Sequence, residues 1–533
     1  MPRVASQYAR PVKQASALTS LPAPVGGLNA RDALAQMPPT QAVLLENLFP
    51  TSAGMQVRRG WFRYYRNIPA PGVVETIIKY NDSDGTEKIF ACANNSFIDA
   101  SLGGVYAAGD VKKSGFHSNR WQYVQMANLA GDFTVAVNGE DVPQIYNGST
   151  WVDAVITQDP SIVPPFPGFD PKNFIHVTQM HRRLWFTEKN SPRVWYLPTD
   201  VVQGAVKLFD CGEVFPLGGY CQLCMSWSVD TGAGMDDQSI FVSSKGNIAV
   251  FSGFDPDDVT TFTLAGVYTT GATFSRRCAA PYGSDVLLLG ENGVVTLTSI
   301  LSQSKMLMQP PLTDIIQHRI SDLVTRFSTQ FGWDLFTNAR YNQLYLNVPD
   351  PERNYQYAMN TILDAWTVFL GYNALCWENF YEEPVFGANG YVGRSWAGFV
   401  DDPDPTTNVG QSIQTRCLQA FSYFGGPEQK NWLLARPVFI ADTEPALVVF
   451  FNTDFEIVES LAPLPPFQNA ANVYLWDSAV WDAALWSGQP RSWKRWFGLN
   501  NIGFAGAIFL RTASISDTIW LATDFQFIKG GTL

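Results

Sequence analysis

The sequence predicts an all-β protein: a β-propeller with an extended N-terminal arm and a smaller C-terminal β domain. Three observations predict it. Aromatic residues make up 14% of the 533 residues, with 17 Trp and 36 Phe, and such side chains fit the half-buried surface of a sheet better than a helix face. With 42 Gly and 34 Pro, tight connections are plentiful. Most telling, hairpin-like units recur from about residue 73 to about residue 400, each a β-rich run, a turn with Gly or Asn, and a second run.

The arm comes first, over residues 1–72. No acid precedes Asp32, whereas Arg3, Arg10, Lys13 and Arg31 are basic, so the start reads as an extended basic arm. Arg3, Arg10 and Lys13 are candidate partner-binding residues, able to pair with acids on a neighbouring ring once the arm orders on assembly. After Pro38-Pro39 the stretch beginning at Thr40 reads as a short anchoring helix, with Thr40 as N-cap and Val43, Leu44 and Phe49 near one side.

The propeller is placed at 73–400. Residues 133–137 and 144–146 flank Asn138-Gly139, and Asn147-Gly148 leads on to Trp151. Further pairs are 183–187 with 194–197, 239–243 with 248–251, 285–289 with 294–297, 343–348 with 355–359, and 383–386 with 391–396. Asn292-Gly293 and Asn389-Gly390 lie in two of these turns, and Asn-Gly suits a type I′ turn because both central residues need positive φ. One stretch differs: Leu312, Ile315, Ile316, Leu323, Val324 and Phe327 recur at helical spacing after Pro310-Pro311, which predicts an inserted amphipathic helix.

Residues 401–411, opening on Asp401-Asp402-Pro403-Asp404-Pro405, read as a linker. The C-terminal β domain follows at 412–533, with strands near 437–440, 447–451 and 519–528. Between them lies a Trp-rich region of Trp476, Trp481, Trp486, Trp493 and Trp496.

Composition narrows the function. Hydrophobic residues at 46% and charged residues at 16% supply enough apolar material to fold, and the length calls for one large domain plus smaller additions. With 36 basic and 48 acidic residues the net charge is −12, which argues against global attraction to nucleic acid. An acidic wall would still let a duplex slide past. Seven Cys, without a charged start followed by an apolar stretch, read as reduced thiols of a cytosolic assembly environment. Apolar runs such as 446–451 and 504–510 are far below the ~20 residues of a membrane helix, so no membrane span is expected.

No pattern marks a catalytic, cofactor or metal site. Cys221 and Cys224 have no second ligand pair nearby, and three positions apart on a strand they should face opposite ways. His117, His176, His181 and His318 lack metalloprotease spacing. The run from Asp82 to Glu87 is too short for a calcium loop and reads as a solvated hairpin turn. Asp230, Asp236 and Asp237 could supply a glycosidase carboxylate pair, but no spacing selects them. No nucleophile elbow or Walker loop occurs, and the chain is not expected to be an enzyme.

Several phrases carry a family likeness. Pro24-Val25-Gly26-Gly27-Leu28-Asn29 leads into Met37-Pro38-Pro39, Leu45-Glu46-Asn47 and Val57-Arg58-Arg59-Gly60. His181-Arg182-Arg183-Leu184-Trp185-Phe186 precedes Trp195-Tyr196-Leu197-Pro198-Thr199-Asp200. Then come Gly246-Asn247-Ile248-Ala249-Val250-Phe251, Gly266-Val267-Tyr268, Gln330-Phe331-Gly332-Trp333 and Asn360-Thr361-Ile362-Leu363-Asp364-Ala365-Trp366. In this order, over roughly 24–400, they resemble the tail hub, or nozzle, proteins of short-tailed bacteriophages, a group that includes proteins described as stabilising packaged DNA.

The resemblance implies a structural virion protein assembled in the host cytoplasm: a β-propeller subunit of a homohexameric ring below the portal and adaptor. Such a ring retains the genome and forms its ejection channel. Implied partners are other copies of the chain, the adaptor and portal rings, tail fibre or needle proteins, and transiently the double-stranded DNA. No catalytic residue comes with it. The alternative is a carbohydrate-binding or glycan-cleaving propeller, a receptor-binding tail protein, whose support is the Trp476 to Trp496 set.

Overall fold

The computed structural model describes residues 16–230, 235–258, 260–301, 310–352, 354–407, 409–460, 462–465 and 490–530. It divides into two bodies, one formed by Arg59–Gln411 and the other by Met1–Arg58 together with Ser412–Leu533.

The Arg59–Gln411 body is a β-propeller. Four sheets follow one another, with opening strands Thr76–Asn81, Gln122–Asn128, Phe174–Met180 and Cys221–Asp230, all antiparallel except where Ile156–Gln158 adds in parallel to Gly204–Asp210 of the third. A three-stranded sheet opens on Ala279–Tyr282. Two further antiparallel runs open on Asp334–Asn338 and Cys376–Phe380, making seven blades among the described residues. The opening strands of the first four blades touch in series, as do those of the last three. The fourth reaches the middle strand of the fifth, and the seventh returns to the first, so the circle is closed.

Closure uses both ends of the body's sequence. In the last blade Tyr391–Ser395 pairs antiparallel with Trp61–Arg66, so a strand from the start of the body completes a blade made from its end. Asp401 then pairs in parallel with Trp61, and the Asp402 amide donates to the Trp61 carbonyl at 2.8 Å. Residues 401 and 402, expected to begin a linker, are thereby tied to the propeller.

The hydrophobic cores lie between neighbouring blades, where the two sheet faces pack. Phe90, Phe97, Trp121, Tyr146 and Trp151 fill the space between the first and second. Trp185, Phe241 and Phe251, with the half-buried Phe209, join the third to the fourth. Centroid separations of 4.4–5.2 Å among Phe90, Phe97, Trp121, Tyr146 and Trp151 give the offset and edge-on contacts that aromatic quadrupoles favour. Large rings fill these two interfaces, whereas the core joining the last blade to the first is mainly aliphatic, with Ile77, Ile89, Ile98, Val385 and Val392.

The inserted helix is present as Gln317–Phe327, preceded by a short turn of 3-10 helix at Asp314–Ile316. It follows the blade with three strands and buries Ile320, Leu323 and Val324. No helix of the described residues is long and apolar enough to cross a membrane.

The second body is also built of sheets. Thr518–Lys529 is its central strand, pairing with Ser16–Pro22, with Lys430–Ala441 and with Gly54–Val57. A second set joins Ala42–Glu46, Gln411–Gln419, Gly506–Ser514 and Ala446–Thr453. Trp432, Phe424, Phe451, Phe525 and Phe527 are buried together as a core.

Two expectations for 1–72 are corrected here. The helix after Pro38-Pro39 is a strand, Ala42–Glu46, because its backbone pairs with the later strand in register Ala42 to Gln419 and Leu45 to Cys417. Tertiary pairing overrides the local cap signal at Thr40. Nor do residues 16–72 form an arm: Ser16–Pro22 adds to a sheet edge, where backbone hydrogen bonds rather than an apolar period do the holding, and Trp61–Arg66 closes the propeller.

Candidate functional site

The opening strand of each blade lies nearest the propeller axis, and six of the seven blades contribute to an axial cavity of about 400 Å³. Its lining includes Thr76, Trp121, Gln122, Tyr123, His176, Arg276, Arg277, Asp334, Trp377, Glu378 and Asn379. The charged groups are two arginines in sequence and two acids from the sixth and seventh blades.

Arg277 is a structural tie. Its guanidinium donates to the Glu75 carbonyl at 3.1 Å, to Thr76 Oγ1 at 2.6 Å and to the Trp121 carbonyl at 3.3 Å, joining the fifth blade to the first and to the start of the second. Phe331 lies between two guanidiniums, with Arg120 Cζ at 4.3 Å and Arg277 Cζ at 5.2 Å from its ring centre. Burial raises the Asp334 carboxyl above the ordinary range, opposed by nearby Arg277, and Asp334 Oδ2 accepts from the Trp377 amide at 3.1 Å.

Glu378 behaves similarly. Burial raises its carboxyl, while a short hydrogen bond from the Tyr123 hydroxyl to its Oε2 acts the other way. Its Oε1 accepts from the Asn379 amide at 2.8 Å. The same burial, with Glu378 beside it, pushes the Tyr123 phenol well up, so the phenol donates and is no base.

The Nδ1 of His176 is buried and has no hydrogen-bond partner among the described residues. Burial, aided by Arg276, lowers the imidazole to about 4, so the neutral ring is the form the fold holds. The unfolded chain takes up this proton near 6.5, so the associated stability is intact above that value and is lost as pH falls from 6.5 towards 4. The loss amounts to up to about 3 kcal/mol. His176→Gln should therefore show a smaller drop in melting temperature than the parent between about pH 7 and about pH 4.5. Equal drops in calorimetry would contradict it.

Other residues singled out in the sequence lie elsewhere. Arg3, Arg10 and Lys13 fall outside the described residues, as do Trp476, Trp481 and Trp486. Trp493 Nε1 donates to the Ala441 carbonyl at 2.9 Å, and Trp496 carries the Arg436 guanidinium 4.7 Å from its ring centre. Asp82 to Glu87 forms the turn of the first hairpin, with the Asp82 amide bonded to the Thr86 carbonyl. His117 Nδ1 meets Asp141 Oδ1 at 2.6 Å, and His181 occupies a hairpin turn with φ 50°.

Cys221 and Cys224 require a correction. They do not diverge to opposite faces: the pairing register shifts between Cys221 and Leu223, and this bulge brings both thiols into one core with Cys211. Burial pushes the Cys211 and Cys224 thiols well above their usual value, which makes them unreactive in that state.

The cavity residues carried a weak signal in the sequence. Polar groups interrupt the apolar opening strands, as in Trp333-Asp334-Leu335 and Trp377-Glu378-Asn379, but single charges in strands do not announce a common axis until the blade count is known.

The fold and its axial cavity define the class: a β-propeller with a separate smaller β domain. No family model and no curated protein matches the chain. Among solved structures, "YCF48 bound to D1 peptide" is similar over 66% of this chain and 99% of its own, at 10% identity and a TM-score of 0.34. YCF48 from Cyanidioschyzon merolae is similar over 63% and 98%, at 11% identity and a TM-score of 0.33. Likeness at this level carries no inference about activity or partners.

Proposed function

We propose that the chain is a structural virion protein, one subunit of a homohexameric tail nozzle that retains packaged DNA and later passes it. The observation that carries this reading is the ordered series of phrases over roughly 24–400 that resemble tail hub proteins. Large aliphatic side chains in turns of the propeller, Leu102, Leu129, Val163 and Ile362, are well exposed in the single chain and would suit burial against neighbouring subunits.

Identical subunits joined head to tail either close or grow without limit, and a tail requires closure. The net charge of −12 suits a channel for DNA, because a positive lining would bind phosphates and slow their passage. Neighbouring portal and adaptor rings, and fibre or needle proteins, are the partners this role demands, with the virion tail as its location.

The basic start supplies the test. Deleting residues 2 to 14 leaves the strand Ser16–Pro22 in place, so the shortened protein should keep its melting temperature. It should fail to join particles, because Arg3, Arg10 and Lys13 are lost as contacts to an adjacent ring. Normal incorporation, measured by the protein content of purified particles, would contradict the role of these residues.

A further inference from the structure

Charge is divided unevenly between the two bodies. Residues 59–411 hold 23 basic and 36 acidic residues, a net charge of −13, whereas the rest of the chain is nearly neutral, with 13 basic and 12 acidic. Within that remainder Arg491, Lys494 and Arg495 stand on and beside the short strand Arg491–Lys494, and all three are exposed. Among the described residues none of them forms an ion pair, not even with the exposed Asp442 and Glu444 just beyond the partner strand. Arg491–Lys494 pairs only with Lys430–Ala441 among the described strands, so its other side is an open sheet edge. Trp496 is exposed beside it, and the same edge continues into Phe497–Gly503, where Ile502 and, just beyond, Phe504 are 62% and 49% exposed.

Arginine with exposed aromatic rings is the mixture enriched in protein contacts, and complementary charge steers such contacts and fixes their register. We propose that this basic edge of the smaller body docks on the acidic propeller of a second copy of the chain. Duplex DNA is the poorer fit, because the propeller's charge of −13 repels phosphates from the same molecule. The two complementary surfaces lie on different bodies, so the contact is head to tail, the kind that closes into a ring or grows into a filament. It goes beyond the nozzle reading and does not require it, since two copies can meet in this way in any assembly.

The test uses the full chain. Sedimentation velocity over a range of concentrations should show self-association at low salt that high salt weakens. Reversing the three charges together, Arg491→Glu with Lys494→Glu and Arg495→Glu, should weaken it about tenfold or more. A parent that stays monomeric at low salt overturns the proposal, and retention of duplex DNA by that monomer would give the strand to nucleic acid instead. Equal association of the variant also overturns it, and is what a strand charged only to keep its edge unpaired would show. Should the variant fail to fold, carbodiimide cross-linking of mixed isotope-labelled and unlabelled parent decides. Links from Lys494 to carboxylates of residues 59–411 in another copy uphold the contact, and links confined to one copy, or none, remove it.

Discussion

Replacing Gly60 by alanine is expected to destabilise the propeller by about 3 kcal/mol or more, at the upper end of what overpacking costs. A Cβ on Gly60 would lie 1.8 Å from the Val400 carbonyl oxygen and 2.5 Å from its carbon. These are backbone atoms and cannot swing aside. Gly60 also sits directly before the closing strand, donating to the Gly398 carbonyl at 3.1 Å and accepting from the Ala397 amide at 2.9 Å. Relieving the clash therefore moves Trp61, and with it the join between the two ends of the circle. Gly85→Ala is the control: its Cβ meets nothing, and only the φ of +86° opposes it, at a cost of about 1 kcal/mol. Thermal unfolding of the two variants side by side measures the difference. Equal melting temperatures would contradict the closure.

Trp432→Ala should cost the smaller body about 3–5 kcal/mol. The indole is fully buried, with ring centres of Phe424 at 4.5 Å, Phe451 at 4.8 Å and Phe527 at 5.0 Å. Its neighbour Gly506 has no room for a side chain, because a Cβ there would stand 2.2 Å from the Phe451 ring. The void left by the indole is walled by rings that pack against one another and against backbone, so collapse into it is limited. Near-UV circular dichroism should show weakened aromatic signals at a temperature where the parent is intact. A shift in melting temperature no larger than that of an exposed substitution would count against this core.

The hairpins were legible because they are local. Asn-Gly turns and β-rich runs place strands such as Arg183–Glu188 with Arg193–Tyr196, and Gln343–Val348 with Tyr355–Asn360, where the sequence reading puts them. The inserted helix was legible for the same reason, through the periodic burial of Ile320, Leu323 and Val324.

What the sequence concealed depends on pairing over long distances. The run Ala42–Glu46 is a strand because of a partner near residue 415, and Trp61–Arg66 belongs to the propeller because of one near residue 393. A one-residue bulge, invisible in the sequence, turns Cys221 and Cys224 into the same core. The axial cavity needs six blades at once, so Arg276, Asp334 and Glu378 gain a common meaning only when the circle is closed.

Electron microscopy of tails from particles that contain this chain, with its copies located and counted, tests the nozzle role. Six copies closed around one axis below the portal are expected, with the genome's path along that axis and acidic or neutral residues lining it. A single copy per tail, or copies confined to peripheral fibres, would contradict it.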